Sequence, residues 1–287
     1  MEQPFKEFMC LIYRINKIMK NKIIYSILII FSITQISCKK RGCTDPSSIN
    51  FDENAEVNDG TCEYSSATVQ LHLNHLFDND PFYLDSTYQD EFGNDIQFTR
   101  ATFYLGNPIY KDASGWTIDS SKFYTLISPE KTENEFNTLN SGNVNDVDLL
   151  IGVDPITNHM DPATYNSSNA LSYQSPSMHW QMGTDPQSWS YLFIVLEGRV
   201  DIDGNGNIEP GESFVFHVGN DGLTSEVLGL TINSNISSGE IIPIDLNINW
   251  ARFLKNIDLS IDNFTHTMDN LPLATTIANN SAYVISN

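Results

Sequence analysis

Tyr191-Leu192-Phe193-Ile194-Val195-Leu196 is a run of apolar residues with no polar position on either parity. Successive side chains of a strand point to opposite faces, so such a run must be covered on both sides. It reads as a central, doubly buried strand, and it obliges the rest of the chain to supply a layer above and a layer below. Val69, Leu71, Leu73 and His75 alternate with Gln70, His72 and Asn74, as in a half-buried strand. Thr102-Phe103-Tyr104-Leu105 reads as a strand closed by a turn at Gly106-Asn107-Pro108. Val147 to Val153, Ser213 to Val218 and Ile241 to Ile248 are further strand-like runs, while helical patterning is confined to Trp250–Leu254 and Leu271–Asn279. The expected fold is all-β, an antiparallel β-sandwich with few short helices, occupying residues 67–287. At 40% hydrophobic residues the chain can fill such a core.

Acidic residues outnumber basic ones 36 to 15, and about half of the Lys and Arg lie at or before Arg41. The rest are scattered singly and form no basic stripe for phosphates, so nucleic acid is not an expected partner. The basic start is explained by export. Lys17, Lys20 and Lys22 precede the apolar run Ile23–Phe31, which Ser32, Thr34 and Gln35 end at once. Too short to span a bilayer comfortably, this is a signal peptide over residues 1–37. Met19 is the more natural start, which would make residues 1–18 a start-site artefact. Ile36-Ser37-Cys38-Lys39-Lys40 resembles a bacterial lipoprotein cleavage box, although Gln35 stands where an aliphatic residue is usual. The resemblance implies that Cys38 is lipidated and anchors the chain to the membrane of the cell envelope, at the outer membrane or in the periplasm. Ordinary secretion would instead leave Cys38 free or disulfide-bonded.

Residues 38–66 form a linker of different character. From Gly42 to Tyr64 the chain resembles a small module of exported bacterial proteins, opening Gly-Cys-Thr-Asp and closing Asp-Gly-Thr-Cys. In an oxidising compartment Cys43 and Cys62 close a loop of about 20 residues, worth about 3 kcal/mol. Asp45, Asn50, Asp52 and Asp59 offer oxygens to calcium, but a stapled spacer between anchor and main domain is the simpler expectation.

The most specific local signal is Asp201-Ile-Asp203-Gly-Asn205-Gly206-Asn207-Ile208-Glu209-Pro-Gly-Glu212. It fits the EF-hand loop template: oxygens at positions 1, 3 and 5, glycine at 6, an apolar residue at 8 and glutamate at 12. Alternating side chains wrap a hard cation, Gly206 permits the bend, Asn207 offers its carbonyl, and Glu209 and Glu212 add carboxylates. The flanks read as strands rather than helices. Calcium is therefore expected as a structural clip, not as a sensor that opens a groove.

Six histidines are present: His72, His75, His159, His179, His217 and His266. None has the close spacing of a local metal site, so any shared site must be assembled by the fold. The segments Thr99–Asn107, Leu150–Asp154, Met178-His-Trp180, Tyr191–Gly198, Phe216–Gly219 and His266-Thr-Met268 occur in a fixed order. With Ala274 and Ala278-Asn279-Asn280 they resemble the MbnP-like family, β-rich periplasmic or surface proteins named for a methanobactin-associated copper-binding member. The resemblance spans residues 67–287. It implies copper as a cofactor, held by His75, His179, His217 and His266 with Trp180 as a tryptophan subject to oxidation. Met178 and Met182 offer thioethers on the parity of Trp180. The chain departs from the family in carrying Met182 where a second Trp is usual, and Thr184–Trp189 looks inserted. His179 and Trp180 are adjacent, so a regular strand would aim them at opposite faces.

No nucleophile elbow, phosphate-cradling loop or His-Glu-x-x-His stretch is present, and an enzyme is not expected. Two functions fit. One is an envelope lipoprotein that captures or handles a metal ion, copper, with a redox or metal-handling protein as its partner. The other is a calcium-stabilised adhesion module binding a protein or glycan through loops; Trp116, Trp189 and Tyr191 fit a glycan platform and core filling equally well.

Overall fold

A computed structural model describes residues 39–287, apart from Ser47, 64–65, Trp116, 119–122, 140–141, Met182 and Ser238. The signal segment, Cys38, Trp116 and Met182 thus lie outside the described residues. In chain order the main strands are β1 (Ala67–Phe77), β2 (Asp95–Lys111), β3 (Glu133–Leu139), β4 (Gly142–Ile151), β5 (His179–Trp180), β6 (Ser190–Val200), β7 (Ser213–Gly219), β8 (Ser225–Ile236), β9 (Ile241–Asn249) and β10 (Phe264–Thr265). The larger sheet has the order β8-β4-β2-β6-β7-β10, with β5 on β6. The smaller one joins Ile285–Ser286, β9 and β1, with β3 also paired to β1. The fold is an all-β sandwich, as its apolar patterning implies.

Tyr191 to Leu196 are all buried in the centre of the larger sheet. Inward-facing residues share one core with the smaller sheet, where Phe98 meets Phe77 and Phe103 meets Trp250. The other face of β6 and β2 is covered by the excursion 152–189. Tyr191 Oη donates to the Leu171 carbonyl at 2.6 Å and Tyr104 Oη to that of Ala170 at 3.0 Å. Both parities are apolar because both faces lose water, each large side chain contributing about 1.5–3 kcal/mol over exposure.

Two details differ from the expectation. The sheets are mixed: β1 and β9 run parallel from Thr68/Ile241 to Leu76/Asn249. Parallel neighbours need a long crossover, and here most of the larger sheet intervenes between them. Gly106-Asn107-Pro108 is not a turn either. β2 continues through it to Lys111, with a register irregularity opposite Leu150 and Asn107 at φ 47°. A side chain at Gly106 would place Cβ 2.3 Å from the Phe123 carbonyl, so glycine is required by close approach rather than by reversal.

The helix α1 (Leu271–Ser281) starts at Asn270, whose side chain accepts from Leu273 N, and buries Leu273, Ala274, Ile277 and Ala278 on one face. Trp250–Leu254 is a short 3-10 turn. Cys43 and Cys62 are disulfide-bonded. Within that loop Asp59 Oδ1 caps Thr61 N, and Asn50 Oδ1 accepts from Glu63 N at 2.9 Å. These oxygens are spent on local turns. Among the described residues no helix is long and apolar enough to cross a membrane.

Candidate metal centre

Alternation along β7 sets the site. Phe214, Phe216 and Val218 point into the core, which turns Val215 and His217 to the outer face. β10 lies parallel beside β7, with Val215 opposite Phe264 and Phe216 opposite Thr265, so His266 arrives next to His217. The buried Thr267 fastens this return. Its hydroxyl donates to the His217 carbonyl at 2.9 Å and accepts from Gly219 N at 3.0 Å. The two imidazoles stack with centroids 4.7 Å apart and planes 16° from parallel.

Across from them stands β5, paired to the start of β6 through Trp180 and Ser190. Trp180, Trp189, His217, Asn220, His266 and Met268 line one cleft of about 440 Å³, together with Gln187, Ser188 and Ser190. Among the described lining residues none carries a formal charge other than the titratable imidazoles. Burial pulls the His217 pKa below its ordinary value, against the opposing pull of the Glu197 carboxylate, whose Oε1 lies 2.7 Å from Nε2. A neutral imidazole with a lone pair is the form a metal binds.

Of the four expected histidine ligands, two meet and two do not. His75 is a core histidine of β1. It accepts from Trp250 Nε1 at Nδ1 (3.2 Å), so its proton sits on Nε2, which donates to the Lys131 carbonyl at 2.7 Å. Neither nitrogen is left for a metal. His179 points away from Trp180, as strand parity dictates, and packs edge-on against Tyr191 at 4.7 Å. Its Nε2 is buried without a partner among the described residues, and burial pushes its pKa down to about 4. Met178 is likewise turned into the core, its sulfur 3.1 Å from Arg100 Nη2. Among the described residues, the thioether that reaches the cleft is Met268, two residues beyond His266. That i, i+2 spacing was the available signal for it.

The wall bearing Trp189 is held from below. His159 Nδ1 lies 2.9 Å from the Trp189 carbonyl and Nε2 3.0 Å from Asp221 Oδ2. Burial pulls the His159 pKa down, but Asp221 and the carbonyls prevail and it ends above the ordinary value. Tyr191 is fully buried, so the aromatic platform of Trp189 with Tyr191 does not form on the surface.

At the far end of the same hairpin, residues 201–212 connect β6 to β7, so the flanks of the acidic loop are strands. Asp201 is buried, and its carboxylate accepts from Gly204 N at 2.9 Å and Gly206 N at 2.7 Å, with Gly206 at φ 82°. Glu212 accepts from Ile202 N at 3.2 Å and Glu209 N at 2.6 Å. Carboxylate oxygens of Asp201, Asp203 and Glu212 all lie within 4.8 Å of one another. Asn205 and Asn207 instead bond to each other, Asn205 Oδ1 accepting from Asn207 N at 2.8 Å, and Glu209 is exposed at the rim.

Comparison with known proteins bears on the whole sandwich. A family model described as MbnP matches residues 66–269. No curated protein matches. Among solved structures the chain is similar to MbnP from Methylosinus trichosporium, at 11% identity over 68% of this chain and 80% of that one, with a TM-score of 0.46.

Proposed function

The chain belongs to the MbnP family, and from that premise we propose that it is an envelope lipoprotein that binds copper for capture or handling. His217 and His266 would hold the ion, with Met268 as a soft third donor and Trp180 beside it. Two imidazoles and a thioether, with no carboxylate in the described lining, suit copper and are poor partners for calcium or magnesium. That donor set, in one cleft, is the observation that supports the reading most. Bound there, a copper ion would supply one-electron redox chemistry. The protein's part is to position ligands and to exclude competing hard cations. His217 stands on a strand, and exposed His266 can turn, which the near-parallel stack requires before both rings can face one ion. Lipidation at Cys38 would tether the sandwich to the membrane, in reach of a redox or metal-handling partner, and no reaction of its own is proposed.

The decisive measurement is competitive Cu(I) titration of the purified protein, with mass spectrometry across the Trp180 peptide. One copper per chain is expected, lost in the H217A/H266A double variant. Equal uptake by that variant would sink the proposal.

The loop 201–212 supports a second, compatible reading: a calcium clip. Its candidate donors are oxygens only, oxygens of three carboxylates lie within 4.8 Å of one another, and the glycine sits at the bend. Joining strands rather than helices, it would lock the β6–β7 hairpin and not move it.

A further inference from the structure

We propose that Glu197, clamped by Arg100, is the positioning residue of the cleft: it fixes His217 as the tautomer that presents an unprotonated Nδ1. That Nδ1 is then the atom offered to copper rests on the reading given above; the tautomer itself does not.

Glu197 lies on the outer face of β6 and Arg100 directly opposite it on β2. His217 faces Val195 on β7, so it is the diagonal neighbour of Glu197 on the same face. One carboxylate oxygen, Oε1, lies 3.0 Å from Arg100 Nη1 and 2.7 Å from His217 Nε2. A carboxylate only accepts, so the ring nitrogen it faces carries the hydrogen. A neutral imidazole has one N–H, and Nδ1 is therefore left with its lone pair. Among the described residues nothing donates to it.

Arg100 does more than hold the carboxylate. Its Nη2 donates to the Ser177 carbonyl at 3.0 Å, two residues before β5 begins. One guanidinium thus keys the strand that carries Trp180 and the carboxylate that orients His217. Carboxylate-to-histidine contacts of this kind fix ring orientation in metal sites, and their loss typically costs about 10–100-fold in metal affinity.

The test uses the full chain in detergent, metal-free, with ¹⁵N-labelled histidine. Two-bond ¹H–¹⁵N correlations report the tautomer, and His217→Asn identifies the resonance. The expected result is a hydrogen on Nε2 of His217. A hydrogen on Nδ1, or on both nitrogens, overturns the proposal. Glu197→Ala should mix the tautomers and weaken Cu(I) binding by about 10–100-fold, whereas Glu197→Gln, which keeps an acceptor oxygen, should retain Nε2–H and bind between the two. An alanine variant with the original tautomer and affinity overturns it equally. If that variant does not fold, the wild-type and glutamine spectra still decide. If wild-type protein takes up no copper, the copper reading falls and the tautomer measurement stands alone.

Discussion

At the scale of single residues, the histidines separate by what occupies their nitrogens. His75 bridges Trp250 and a backbone carbonyl inside the core, whereas His217, which lines the cleft, spends Nε2 on Glu197 and has no partner among the described residues at Nδ1. His75→Phe strands a buried indole N–H and a carbonyl, so it should cost about 2–6 kcal/mol, at 1–3 kcal/mol per orphaned group. Copper stoichiometry should be unchanged, and urea unfolding beside a Cu(I) titration checks both halves. His179 makes a pH prediction. Its folded pKa of about 4 lies below the unfolded value of 6.5, so the unfolded chain protonates first as pH falls. Its contribution to stability is full above pH 6.5 and is lost as pH falls towards 4. His179→Phe should flatten that part of the stability-pH curve, without abolishing it, because burial depresses His75 and His217 in the same direction. An unaltered slope would show that the buried Nε2 is not what makes the native state acid-sensitive.

At the scale of elements, the β6–β7 hairpin carries both candidate ion sites. Calcium at hundredfold excess over its dissociation constant should add about 2.7 kcal/mol, roughly 5–10 °C in Tm for a domain of this size. Differential scanning calorimetry with calcium and then EDTA checks it, and Asp203→Asn with Glu212→Gln should remove the response. The gathering of Asp201, Asp203 and Glu212 in this loop was legible in the sequence because all three are local and the template fixes their spacing. So was β6, whose two apolar parities specify burial without a partner being named. The candidate metal cleft was only half legible. His217 and His266 meet through a parallel pairing of β7 with β10, and no periodicity in either segment states which distant strand will lie alongside. His75 shows the reverse failure. Its parity correctly turned it inward, but parity cannot tell a metal ligand from a ring that Trp250 and Lys131 have already satisfied. The break read at Gly106-Asn107-Pro108 was composition mistaken for reversal, since a bulge uses the same residues as a turn.

At the scale of the whole molecule, the spacer and the sandwich have separate means of support. The disulfide closes only the loop from Cys43 to Cys62, while the sandwich is held by a continuous core that contains no other cysteine. Replacing both with Ser should therefore leave the main unfolding transition and copper uptake in place, and increase proteolysis within residues 43–62. Cys38→Ser should move the protein from the membrane pellet to the soluble fraction on cell fractionation. Retention in the pellet would refute the lipid anchor.

The hairpin has a further consequence for anyone handling this protein. Its tip gathers carboxylate oxygens and the outward His217 ring stands on the same ladder of amide bonds, so on the reading proposed above a hard ion and a soft one would share a single hairpin. An EDTA wash, the routine way to clear stray metal before copper measurements, would also remove a calcium ion held at the tip and so slacken the strand that carries His217. Apparent copper affinity should then depend on whether calcium is restored before titration begins.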